Sequence, residues 1–285
     1  MKKILLTILT CSVFFRASAF DWPQEASSGK DFYSYFGQRR GNTISTSMIF
    51  SNSAQVHSVK DGKLLVRIRE HGEDFGRFES ALGNTVILLH EDSFATVSAN
   101  LNGDPYLPEL PSDVKKGILL GESGNSSWHK GSEALEFQVL DFKNSGAVNP
   151  RIPLPRAERE ESLEISEAVF ISREGTVYDA AKVKSMPSGS YSFYKKRNER
   201  SVPYRTQVYV NGVSMETITM DFIFSEDGKL RIKGNKNYSA AEFYPEKNRQ
   251  LISVLELSRG KNEITVTLTD LLGNKKTERF IVDTY

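Results

Sequence analysis

The sequence predicts a mainly β protein in two parts: an antiparallel β-sheet core and then a small immunoglobulin-like β-sandwich. Three observations point to strands. Apolar and polar residues alternate with a period of two through most of the chain, as in strands with one buried face. Few windows place apolar residues at i, i+3, i+4 and i+7 over three turns, so helices are scarce. Turn-forming clusters of Gly, Asn and Asp recur between the alternating runs. Two units also suit the length, because a domain takes about 100–200 residues and the chain has 285.

Residues 1–19 open on Lys2 and Lys3, run through an apolar stretch over 4–15 and end on Ala17-Ser18-Ala19. That order is the pattern of a secretory signal peptide cleaved after Ala19, and the apolar stretch falls short of the ~18 residues of a bilayer span. The expected location is periplasmic or secreted. Cys11, the single cysteine, lies inside this stretch, where lipid attachment would need an unusually short apolar region; a lipoprotein is therefore disfavoured. Cleavage at Ala19 leaves no cysteine and no disulfide, so packing alone must hold the mature chain.

The first domain, 20–148, is expected to hold strands over 47–50, 63–68, 85–90, 95–100, 118–122 and 134–140. Turn-rich pieces such as Lys60-Asp61-Gly62 and Glu122-Ser123-Gly124-Asn125 separate them. Residues 149–162 carry three prolines and then charge without apolar periodicity. Proline restricts itself and its predecessor, so this piece reads as an extended linker. The second domain, 163–285, begins its clearest signal at 208–210. There Asn211-Gly212 leads into Val213, a two-residue hairpin whose primed turn needs positive φ at both centres. A second hairpin turns at Asp227-Gly228 between 218–224 and 230–233. Ile264, Val266 and Leu268 alternate with Thr265, Thr267 and Thr269 before a turn at 272–274, and 280–282 closes the chain. Short strands at this spacing suggest the sandwich, although the Cys…Trp…Cys signature of a true immunoglobulin domain is absent.

Composition removes several functions. With 37 Lys+Arg against 36 Asp+Glu, the chain lacks the basic excess of nucleic-acid binders. A content of 39% hydrophobic and 11% aromatic residues excludes a disordered chain. Gly117-Ile118-Leu119-Leu120-Gly121 is followed by no Walker Lys-Ser/Thr, and no Gly-x-Ser-x-Gly elbow occurs. A thiol protease is excluded once Cys11 is removed.

Six segments in order carry a resemblance. Phe36-Gly37-Gln38-Arg39-Arg40-Gly41 looks like the opening segment of the lysostaphin/LytM-type zinc metallopeptidases, which cut peptidoglycan cross-bridges. VHSVKDG over 56–62 resembles their "V-x-A-A-x-D-G" turn, and GNTVILLH over 83–90 their "G-N-x-V-x-I-x-H" strand. Ser98-Ala99-Asn100-Leu101 stands at "Y-A-H-L". VKKG (114–117) through LGESG (120–124) is similar to "V-K-x-G-Q-x-I-G-x-S-G", and Leu135-Glu136-Phe137-Gln138-Val139 falls on "H-L-H-F-E-V". The resemblance covers residues 36–140 and implies a peptidase-like β-sheet core there.

A zinc hydrolase needs about three protein ligands and a position for water, whose pKa the metal lowers. The resemblance assigns these roles to an "H-x-x-x-D" pair and an "H-x-H" pair, with the His of "Y-A-H-L" assisting. In this sequence those positions are Ser45 and Ile49, Ala134 and Glu136, and Asn100. Ile49 and Ala134 offer no ligand atom, Asn100 cannot exchange protons at neutral pH, and one carboxylate does not make a metal site. No catalytic residue and no cofactor are therefore expected, although zinc is the family's metal.

Other candidates remain. His71, Glu73 and Asp74 share a charged insertion over 67–82 that reads either as a relocated metal cluster or as a solvated loop laced by Arg67, Arg69 and Arg77. His90, at a strand end near the old site, is a groove contact or a satisfied structural histidine. Trp128 beside His129 offers a flat surface for a sugar ring, or is an ordinary exposed loop. Lys195-Lys196-Arg197 with Arg200 could meet an acidic glycan or lipid surface, or form a solvated turn. The resemblance implies a catalytically inactive cell-envelope protein that binds peptidoglycan or regulates a cell-wall hydrolase such as an amidase. The alternatives are a metalloendopeptidase with a rearranged site, including Glu136 and His90, and a purely structural or adhesive protein.

Overall fold

Alternating sequence becomes strand almost throughout the computed structural model, which describes residues 20–26, 28–71, 76, 78–103, 109–128 and 133–285. The protein is mainly β. Residues 1–19, with Cys11, and Glu73, Asp74, Arg77 and His129, lie outside the described residues. Among the described residues no helix is long and apolar enough to cross a membrane.

The larger sheet has eleven strands. Its centre is Glu136–Asp141, which pairs antiparallel with Phe94–Leu101 on one side. Its other side is shared: Met48–Phe50 takes Glu136 and Phe137, and Gly146–Val148 takes Val139 to Asp141. Asn84–Leu89 and Gly62–Ile68 continue the sheet beyond Phe94–Leu101. The inward rows supply a core of Phe32, Met48, Phe50, Val86, Leu88 and Phe137, with Phe32 and Phe50 edge to face at 5.4 Å.

Two sheets of four and five strands form the sandwich. Val169–Ser172, Gly189–Lys196 and Arg249–Leu257 occupy the A, B and E places of the immunoglobulin order. Val213–Thr219, Arg205–Val210, Gly260–Thr269 and Lys275–Thr284 take C′, C, F and G. Ser185–Met186 runs parallel to the last of these. The alternation read in the sequence is realised: Ile264, Val266 and Leu268 are fully buried. Phe193 stacks on Phe170 of the neighbouring strand at 4.3 Å, on the buried face of the four-stranded sheet. Asn211 and Gly212 have φ of 51° and 80°, as the primed turn requires.

The division between the halves is less simple than the sequence suggests. The hairpin strands Phe222–Glu226 and Lys229–Lys233, expected in the sandwich, leave it and join the larger sheet through pairing with Gly146–Val148. Asn237–Ser239 follows them. A third core results, in which Phe36, Ile44 and Ala147 of the first half pack with Ile218, Ile223, Tyr238 and Tyr244 of the second. The proline segment is packed as well. Arg151, Leu154 and Ala157 are buried, and Arg159 accepts a hydrogen bond from the Gly29 amide at 2.8 Å.

Lys195 sits in this region, 3% exposed, with Nζ donating to the Lys196 carbonyl at 3.1 Å. Burial pushes its ammonium down from 10.5 to about 8. The folded pKa is the lower one, so between these values the unfolded chain binds more protons and stability rises with pH. Lys195→Met is expected to raise the unfolding free energy at pH 7 by ~1–3 kcal/mol, since it removes the desolvation cost of a buried ammonium. Urea melts from pH 7 to 10 check this: the advantage of the variant should shrink as pH rises, and a constant difference would refute the argument.

Candidate functional site

The register of three adjacent strands builds the site. Glu136 lies opposite Ile49 on one neighbour and opposite Ala99 on the other. Residues directly opposite share a face, so Ile49 and Glu136 stand side by side. Ile49 and Ser45 line a cleft of about 660 Å³ between the halves, with Tyr33 and Trp128 also in its wall. Four of the five positions singled out in the sequence are placed close by, and the fifth follows: Asn100 donates to the Ala134 carbonyl at 2.6 Å.

Glu136 is fully buried, and both of its oxygens are engaged. Arg40 Nη1 donates to Oε1 at 2.7 Å and Trp128 Nε1 donates to Oε2 at 2.8 Å. The Arg40 guanidinium also lies over the Trp128 ring, 4.2 Å from its centroid, a favourable cation–π geometry. The three side chains close a triangle in which each touches the other two. A carboxylate held this way serves as an anchor for Arg40 and Trp128.

Asn100 is a backbone staple. It adopts φ of 62°, a left-handed conformation that Asn tolerates better than most residues. Its Nδ2 donates to the carbonyls of Gly124 and Ala134, both at 2.6 Å, and its Oδ1 accepts from the Ser127 amide at 2.8 Å. Gly124 must be glycine here, because an added Cβ would fall 2.3 Å from the Asn102 nitrogen. The staple fixes the approach of the segment that carries Trp128.

Cations dominate the remaining wall. Arg39, Arg40, Arg197, Arg200 and Lys247 line the cleft against the single carboxylate of Glu199. Arg197, Arg200, Lys247 and Glu199 come from the second half of the chain, and polar contacts tie them to the first. Arg197 Nη1 donates to Gln38 Oε1 at 2.7 Å, while Gln38 Nε2 donates to the carbonyls of Asn198 and Ser201. Arg197 Nε reaches the Lys247 carbonyl at 2.7 Å.

The other candidates fall elsewhere. His90 does not reach the cleft. It is 5% exposed and uses both ring nitrogens, Nδ1 with the Asp61 carbonyl and Nε2 with Thr96 Oγ1, each at 2.8 Å. A carbonyl can only accept, so Nδ1 carries the proton and Nε2 accepts from Thr96. Burial holds the His90 pKa below 6.5. Because the folded pKa is the depressed one, stability is present above pH 6.5 and is lost as pH falls below it. His90→Gln is expected to flatten that part of the stability profile in melts between pH 5 and 7. His71 pairs with Glu79 at 3.3 Å. Among the described residues no group of three His, Cys, Asp or Glu is placed to hold a metal. The basic run splits: Lys195 is buried, Lys196 pairs with Glu167 at 2.6 Å, and only Arg197 and Arg200 face the cleft. Sequence reasoning missed Arg39, Arg40 and Lys247 as site residues; the adjacent Arg39-Arg40 pair before Gly41 was the available signal.

Comparison with known proteins adds two findings. A protein-family model matches residues 162–285. The matched region is the second half. An uncharacterized protein of Treponema pallidum (strain Nichols) is 28% identical over 140 residues, spanning 45% of this chain and 92% of that protein.

Proposed function

We propose that the chain is a catalytically inactive, lysostaphin/LytM-like protein of the cell envelope, exported by residues 1–19, that uses the cleft to bind peptidoglycan or to engage a cell-wall hydrolase. The observation that carries this reading is the state of Glu136. It is the one resemblance position with metal-binding oxygens, and it holds Arg40 and Trp128 in place instead. Ile49 and Ala134 beside it bring no donor side chain. What remains is a concave, rigidly framed surface with aromatic and basic walls, suited to recognition.

Two measurements test it. After incubation with zinc and desalting, the mature protein should retain far less than one equivalent of metal by elemental mass spectrometry. It should also sediment with purified sacculi, or recover an envelope hydrolase from an extract. Stoichiometric zinc with cross-bridge cleavage would overturn the proposal, as would failure of both binding assays.

A further inference from the structure

We infer that the cleft is an anion site shared by the two halves, and that its ligand is a peptide segment bearing more than one carboxylate, as the stem peptides of the cell wall do. The inference rests on the reading of the cleft as a wall-binding surface and adds the chemistry that would be recognised.

Charge bookkeeping around the cleft leads there. Five cations and one carboxylate line it. Three of the cations are compensated from outside or from the wall: Arg40 by Glu136 at 2.7 Å, Arg200 by Glu161 at 3.3 Å, and Arg197 by Glu199 at 3.7 Å. Among the described residues, Arg39 and Lys247 have no carboxylate in ion-pair range. Arg39 spends only its Nε, on the Gly41 carbonyl at 2.8 Å. One of these two comes from each half of the chain, and the bonds through Gln38 and Arg197 hold their backbones in a fixed relation. A concave wall of one sign focuses field lines on a ligand of the other. The depression around His90 differs: its four lysines, Lys60, Lys63, Lys115 and Lys116, face Asp61, Glu91 and Asp113. Tyr33 and Trp128, 63% and 46% exposed, add flat apolar contact beside the cations.

The experiment is calorimetric titration of the mature protein with a soluble tripeptide, Ala-γ-D-Glu-diaminopimelate, against pentaglycine as the neutral probe, with sacculus sedimentation in parallel. The anionic peptide should bind and pentaglycine should not. Raising salt from 50 to 500 mM should weaken binding, because screening acts on exposed charges. The double variant Arg39→Glu/Lys247→Glu should lose about tenfold in affinity while keeping the wild-type melt, since neither side chain packs in a core. If sacculi bind the wild type and the double variant equally, the anion site is wrong and wall binding stands. If the tripeptide binds and sacculi do not, the anion site stands and the wall reading falls. Equal binding of pentaglycine, or binding of neither peptide, overturns the inference.

Discussion

Glu160→Gln is expected to lower the unfolding free energy by about 3–5 kcal/mol, the cost of leaving a buried charge uncompensated. Arg151 and Glu160 are a bidentate pair inside the proline segment, with side chains 2% and 5% exposed. Arg151 also lies over the Phe32 ring at 4.9 Å, and Tyr35 donates to Glu160 at 3.4 Å. The pair therefore clamps 149–162 onto the aromatic corner of the first core. Gln keeps the shape and one acceptor but removes the charge, so the guanidinium stays buried without its counterion. The double variant Arg151→Met/Glu160→Leu should recover most of the loss, because apolar replacement of a whole buried pair is often neutral. Glu161→Gln, which only weakens the partly exposed contact to Arg200, should cost under ~1 kcal/mol. Urea melts of the three variants decide it. A Glu160→Gln loss as small as that of Glu161→Gln would mean that the segment is not clamped.

The strands were legible because their signal is local. Alternation at 264–268 and the Asn211-Gly212 turn are set by side-chain period and by φ, both readable from neighbours in sequence. The route of the 222–239 hairpin was not. Its strands alternate like those of the sandwich, and only the free edge of Gly146–Val148, about 75 residues earlier, decides which sheet they join. The proline segment misled for a similar reason. Proline does forbid regular strand there, but whether an irregular segment is solvated or packed depends on partners such as Phe32 and Tyr35, far away in sequence.

The site divides in the same way. The motif resemblance named Ser45, Ile49, Asn100, Ala134 and Glu136 in advance, and strand register brings them near one another. The cations could not. Arg197 and Arg200 were seen as part of a basic run, yet alternation along Gly189–Lys196 and the turn after it sends Lys195 inward and Lys196 outward. Arg39 and Lys247 meet only because the third core docks the two halves. Charge runs in sequence thus predict little until the fold sorts them by face.

Asn100→Ala should cost about 3–4 kcal/mol, because it removes three side-chain bonds worth ~1 kcal/mol each and leaves a residue poorly suited to positive φ. The groups left behind are the Gly124 and Ala134 carbonyls and the Ser127 amide, on segments buried against the sheet. Asn100→Gly separates the two contributions: it accepts φ of 62° but still loses the bonds, so it should fall between wild type and Ala. Asn100→His, the residue that the resemblance would place there, should be as damaging as Ala. An imidazole cannot give two donors and one acceptor in these directions, and with Ile49 and Ala134 unchanged it should bring no zinc. Ser127 precedes Trp128, so loss of the staple should also loosen the ring from Arg40 and Glu136. Fluorescence reads this directly in a Trp22→Phe background, where Trp128 is the remaining tryptophan of the two in the chain. A red shift and easier quenching in Asn100→Ala, at temperatures well below its melt, would show that one residue holds both the fold of this corner and the shape of the cleft. Unchanged emission with the full stability loss would assign Asn100 to the fold alone.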